Sequence, residues 1–326
     1  MKASIPAATI LAMTLAMATT TQAQERPVAL STPSRDTPAS ELDDVVIEGR
    51  RGLAATTRFV RGIAPPIGDR GLARWNGPVC VGVLGMQADA ARMMADRISD
   101  WAHSLGVDVE AAGCDPNILV VATDDGSRMA QELVATRPRQ FRLGVAGADR
   151  GAAALANFQH TDRLVRWWHV ALPINPDTER PAVRMPGEPP STGSGGLTRP
   201  ADFGPTALVG MSSRLTRRTR DDLQQAIVVV DIDALDAVGF GQLADYVSMV
   251  ALAHIDMAGQ SNLLPSILNL FDPAYAPEPT LTDWDRAFLK GLYSAEQRSP
   301  DPRANASEVA DVMRRELEQA SAEPAN

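Results

Sequence analysis

From Gly77 onward, short apolar runs alternate with longer segments of helical period. Val79 to Leu84, stopping at Gly85, and Asn117-Ile-Leu-Val-Val-Ala122 predict buried strands. Between them, Ala88 to Leu105 puts Met94, Ile98, Trp101 and Leu105 on one helical face, and Gly106 stands where a left-handed residue ends a helix. Ser127 to Thr136 predicts another helix. Arg166-Trp-Trp-His-Val-Ala-Leu-Pro173 predicts a strand ended by Pro173, with Trp168, Val170 and Leu172 on one face and Trp167, His169 and Ala171 on the other. Ala226-Ile-Val-Val-Val-Asp231 is a β-branched run and a further buried strand. An apolar helix follows (Gln242 to His254), then a tight turn (Pro265 to Phe271) and a second helix (Leu281 to Tyr293). A last helix opens at Asn305, with Glu308 three residues on in a capping-box-like start. Its narrow stripe of Val309, Val312, Met313 and Leu317 is expected to pack on the domain or on a partner. These elements predict an α/β fold with a mixed sheet.

The flanks lack this regularity. Lys2, the apolar run Ile5 to Ala18 and Thr21-Gln-Ala23 have the layout of a secretory signal over residues 1–23. Residues 24–50 are expected to be a disordered linker, being rich in Pro, Ser, Thr and charge over most of their length. Within it, Leu42-Asp-Asp-Val-Val-Ile-Glu-Gly-Arg-Arg51 resembles the TonB-contacting box of outer-membrane receptors, but reads more readily as a first edge strand. A single domain is expected over 51–297, interrupted by a Pro/Gly/Ser-rich surface loop at 176–205, and 298–326 is a polar linker leading to the terminal amphipathic helix. Arg217-Arg-Thr-Arg220 with Asp221-Asp222 is expected to be solvated.

Charge and cysteine narrow the class. The 326 residues carry a formal charge of −9, which becomes −10 once Lys2 is cleaved away. So acidic a chain gives no electrostatic case for nucleic acid or anionic lipid. The leader's apolar run is too short for a comfortable span, and no other approaches the roughly 20 residues one needs. Cys80 and Cys114 are an even pair, which in an exported protein reads as one disulfide contributing about 3–4 kcal/mol, with a free reactive thiol as the alternative. A soluble exported protein, periplasmic or extracellular, is expected.

The order of strand 226–231, helix 242–254, turn 265–271 and helix 281–293 resembles the catalytic half of the zincin metallopeptidases, the metzincins in particular. Ser266-Ile-Leu-Asn269 is similar to the turn beneath the metzincin metal, and Leu281-Thr-x-x-Asp285-x-x-x-Leu289-x-x-Leu292-Tyr293 resembles the closing helix of matrixin-like enzymes. That family carries His-Glu-x-x-His-x-x-Gly-x-x-His, whose imidazoles hold zinc while the Glu activates water. In the same register this chain has Ala244, Asp245, Ser248, Ala251 and His254, so only His254 matches in full. Neither Ala244 nor Ser248 replaces an imidazole, and without a metal nothing lowers the pKa of water from about 16 toward 7. Ala251 in the Gly place is expected to let the helix run on, turning His254 away.

Other chemistries fit less well. Asp231-Ile-Asp233 looks like the Asp-x-Asp of haloacid-dehalogenase phosphatases, but lacks the following Gly-Thr. No Gly-x-Ser-x-Gly elbow and no Gly-rich phosphate loop is present.

The resemblance implies a zincin-like mixed, twisted sheet with a degenerate site, no metal and no cofactor. The expected function is that of a non-catalytic pseudo-peptidase that binds a peptide or protein of the cell envelope, with Trp167, His169, Asp245 and His254 lining the cleft. The rival expectations are an envelope scaffold acting through its tails, and a metal-dependent hydrolase with an atypical site.

Overall fold

The apolar runs do form one sheet. The computed structural model describes residues 40–67, 70–138, 140–141, 150–176, 178–181, 219–233, 235, 238–261, 264–296 and 301–322. Its strands are β1 (Val81–Leu84), β2 (Ile118–Thr123), β3 (Val165–Asn175), β4 (Arg180–Pro181) and β5 (Arg220–Asp231), in the order β1-β2-β5-β3-β4. The pairs β1–β2 and β2–β5 are parallel, and β3 runs antiparallel to β5. Ala226 to Val230 lies centrally and has no solvent exposure, as expected of a β-branched run covered on both faces.

The helices are α1 (Ser40–Ile63), α2 (Ala88–Ser104), α3 (Gly126–Thr136), α4 (Gly151–His160), α5 (Phe240–Leu252), α6 (Asp283–Ser294) and α7 (Pro302–Ala322). Adjacent residues of β3 show the layering. The Trp167 ring meets Tyr246 of α5, whereas Trp168 meets Phe141 and Phe158 of α4 on the opposite face. The α2 and α5 helices therefore cover one face of the sheet and α3 and α4 the other. A Cβ on Gly291 would lie 2.7 Å from the Val309 carbonyl oxygen, so α6 and α7 cross almost main chain to main chain. Val309 and Met313 are buried in that crossing, which uses the terminal stripe inside the domain. The chain clusters into one unit over Asp44–Asn326, and of Met1–Asp43 only the first residues of α1 are described.

Several expectations are corrected. Residues 42–51, read as an edge strand or receptor box, are helical, and so is the end of the supposed linker over 40–50. The reason lies just beyond that short apolar run. Thr56, Phe59, Val60 and Ile63 are buried at helical spacing and carry the helix on to Ile63. Pro173 does not end β3, which continues to Asn175. Asp221 and Asp222 are buried rather than solvated, because β5 begins at Arg220. Arg70 and the Gly71 amide satisfy Asp221, while Arg220 and Asn76 satisfy Asp222, so the charges enter the core in pairs. The α4 helix was not foreseen. The segment expected to be a signal, residues 24–39 of the expected linker and most of the 176–205 loop lie outside the described residues.

Cys80 and Cys114 are bonded, with 6.1 Å between Cα atoms, which removes the free-thiol alternative. The bond ties the residue before β1 to the approach to β2. Reduction should lower stability by about 3–4 kcal/mol, read as an earlier denaturation midpoint with reductant present. An unchanged midpoint would show that the link adds nothing. No described helix is long and apolar enough to cross a membrane.

Candidate functional site

The α5 helix is buried on every side, from Leu243 to Leu252. It stops at Leu252, and Ala253 is extended (φ −133°, ψ 145°). Three side chains take the last carbonyls in place of a further helical turn. His169 Nε2 donates to Val250 O at 2.7 Å, Trp75 Nε1 to Ala251 O at 2.9 Å, and the Tyr293 hydroxyl to Leu252 O at 2.7 Å. The helix therefore breaks at this point although Ala251 stands in the Gly place, and His254 lies beyond its end. Tertiary hydrogen bonds decide the break.

Ala244, Asp245, Ser248 and His254 do not converge. Asp245 points to α2, where Arg97 grips both carboxylate oxygens at 2.6 and 2.9 Å and Trp101 Nε1 donates at 2.8 Å. Thr280 Oγ1 donates a further bond at 2.6 Å. Burial alone would raise this carboxyl's pKa, but the bonds from Arg97, Thr280 and Trp101 hold it below the usual carboxylate range. So held, Asp245 is poorly suited to accept a proton. Ser248 Oγ donates back to Ala244 O at 2.7 Å, leaving no donor set for zinc on this face. Among the described residues the one cluster of three ligand-type atoms is Cys80, Glu110 and Cys114, and its sulfurs are spent in the disulfide. Among the described residues, these positions do not fit a zinc site.

His254 instead meets His169, ring centroids 5.2 Å apart and nearly perpendicular, in a small cavity with Arg150. Arg150 donates to Asp256 Oδ2 at 3.0 Å, to Pro65 O at 3.3 Å and to His254 O at 3.2 Å. Burial, opposed by the bond to Val250 and helped by Arg150, lowers the His169 pKa to about 4. Burial, Arg150 and His169 push His254 well below its ordinary value. Both rings are neutral at pH 7. Trp167 and His169, expected to line an exposed cleft, are 5% and 7% exposed, because β3 presents both faces to helices. Trp167 Nε1 is taken by Ile255 O at 2.9 Å.

The turn after α5 is fixed from α6. Ser266 caps the short 3-10 turn Ile267–Asn269 by accepting from Leu268 N, and its hydroxyl donates to Asp285 at 2.6 Å. Asp285 also accepts from Ile267 N at 2.8 Å, Thr282 N at 2.9 Å and the Thr282 hydroxyl at 2.9 Å.

The outer edge of β3 is buried, but among the described residues it lacks a strand partner over most of its length. Asp231 N donates to Leu164 O at 2.8 Å, so residues 164, 166, 168 and 170 are those that exchange hydrogen bonds with β5. The N–H and C=O of Val165, Trp167 and His169 therefore point away from β5. A register shift follows Val170, and Arg74, not β3, bonds the main chain of Asp221 and Leu223, so Ala171 and Pro173 also point outward. Pro173 is tolerated because its missing donor falls on this outer side. Among the described residues β4 pairs with β3 only at Ile174 and Asn175. At the other end of this edge, Leu164 and Val165 open onto a groove of about 420 Å³ walled by Arg163, Tyr246, Asn269 and Phe271. No sequence pattern marked this groove, since its wall comes from four separate segments. No protein-family model, curated protein or solved structure matches the chain.

Proposed function

We propose that this is an exported protein that holds an extended peptide or protein segment along the outer edge of β3 without cutting it, on a frame like that of a zinc peptidase. The observation that carries this reading is the row of outward main-chain groups at Val165, Trp167, His169 and Ala171, unpaired by any described strand and ending at a groove of ligand size. Strand addition uses such a row for affinity and adjoining pockets for choice of side chain. The frame is supported by an antiparallel β3 beside the strand that leads into α5, and by a turn below α5 bonded to Asp285 of α6. The absence of cleavage follows from Ala244, Ser248 and the captive Asp245.

The burial of Trp167 and His169 narrows the reading, since recognition then rests on main chain and groove rather than on an aromatic lining. The test takes a peptide selected from a random library by the mature protein and N-methylates its amides one at a time. Affinity should fall about tenfold or more at alternate positions only, with ligand mass unchanged throughout. Indifference to N-methylation at every position, or a cut peptide, would overturn the proposal.

A further inference from the structure

We propose that the groove at the start of β3 takes a side chain ending in a neutral oxygen acceptor, a carboxamide, from the residue of the bound segment that pairs with Val165. This rests on the strand-addition reading and specifies its ligand. Val165, Trp167 and His169 share the sheet face turned to α5, and Trp167 packs edge-on against Tyr246 with centroids 6.1 Å apart. Cross-strand partners share a face, so a residue paired with Val165 sends its side chain toward Tyr246.

Tyr246 is 4% exposed and is held between Trp167 and Phe271, whose ring centroid is 4.9 Å away. Its hydroxyl makes no hydrogen bond to a described residue, although a buried tyrosine ordinarily finds a partner. Burial keeps the phenol protonated, so it stands as a donor at any working pH. Arg163, exposed on the same wall, lies near enough for its charge to act on the phenol, and it forms no ion pair with a described residue. Asn269 answers neither donor: its Oδ1 accepts from Ser261 and its Nδ2 donates to Leu264 O. The groove thus offers two donors and calls for an acceptor. Asp162 and Asp272 stand on the same wall, so the formal charge around the groove is one negative, and a neutral amide oxygen is favoured over a carboxylate. An aliphatic side chain would leave the phenol buried without a bond.

The experiment uses the library-selected peptide, acetylated and amidated, with Gln, Glu or Leu at each position in turn. Binding is measured to the wild-type protein and to the Tyr246→Phe and Arg163→Gln variants. One position should prefer Gln over Leu about tenfold, with Glu between them. Tyr246→Phe, which keeps the ring packing, should erase that preference while leaving the Leu peptide's affinity unchanged. Arg163→Gln should lower Glu more than Gln. A preference that survives Tyr246→Phe, or no Gln preference at any position, overturns this inference while a parity-sensitive peptide still upholds strand addition. Failure to select any peptide, or indifference to N-methylation, sinks both.

Discussion

Asp285→Ala should cost about 5 kcal/mol, the largest loss expected from any single substitution considered in this chain. The carboxylate is fully buried, and it accepts from Ser266 Oγ, Ile267 N, Thr282 N and Thr282 Oγ1. Burial raises its pKa despite those four donors, so the group sits at an electrostatic cost that only its bonds offset. Alanine removes every acceptor at once. It leaves main-chain donors without partners below α5 and loosens the cap of α6. Asp285→Asn keeps one oxygen but adds two donors where four donors already point, so it should recover less than half of the loss. Denaturant titration checks both variants. A cost near 1 kcal/mol for the alanine variant would mean that the turn holds its place without α6.

Acid should begin to destabilise the protein as the pH falls below about 6.5, through two buried histidines. An unfolded histidine takes up a proton near pH 6.5, whereas His169 in the folded chain resists until about pH 4 and burial also holds His254 well below its ordinary value. Between those values the unfolded state binds more protons, so stability is full above pH 6.5 and falls as the pH drops. From pH 7.5 to pH 5, His169 should contribute a loss of about 2 kcal/mol, and His254 adds a loss in the same direction. The charged neighbours act in the same direction, since Arg150 lowers the pKa of both rings and Arg70 that of His254. His254→Phe keeps an aromatic ring against His169 and removes one titration, so the acid loss should become smaller while stability at pH 7.5 changes by about 1 kcal/mol or less. An identical slope in the variant would remove His254 from the account.

The parts of the fold legible in the sequence are those fixed by local pattern. The apolar runs at Val79, Asn117 and Ala226 become parallel strands, Gly106 takes φ +76° after α2, and Cys80 finds Cys114. The misread parts depend on partners distant in sequence. Asp221 and Asp222 look solvated until Arg70 and Asn76 are brought against them. The helix looks set to run on past Ala251 until His169, Trp75 and Tyr293 claim its last carbonyls. Pro173 looks like a strand end until the register turns its nitrogen outward. The candidate site follows the same division. The missing imidazoles are plain from Ala244 and Ser248, whereas the capture of Asp245 by α2 and the groove at Tyr246 emerge only when separate elements meet.

Residue-resolved amide exchange on β3, with and without the library-selected peptide, decides whether a bound segment pairs with this edge. Strand pairing should slow exchange at Val165, Trp167, His169 and Ala171, leave the β5-bonded amides of Arg166 and Trp168 unchanged, and return the peptide whole. Unaltered exchange at those four amides under saturating peptide, or recovery of a cleaved peptide, would contradict it.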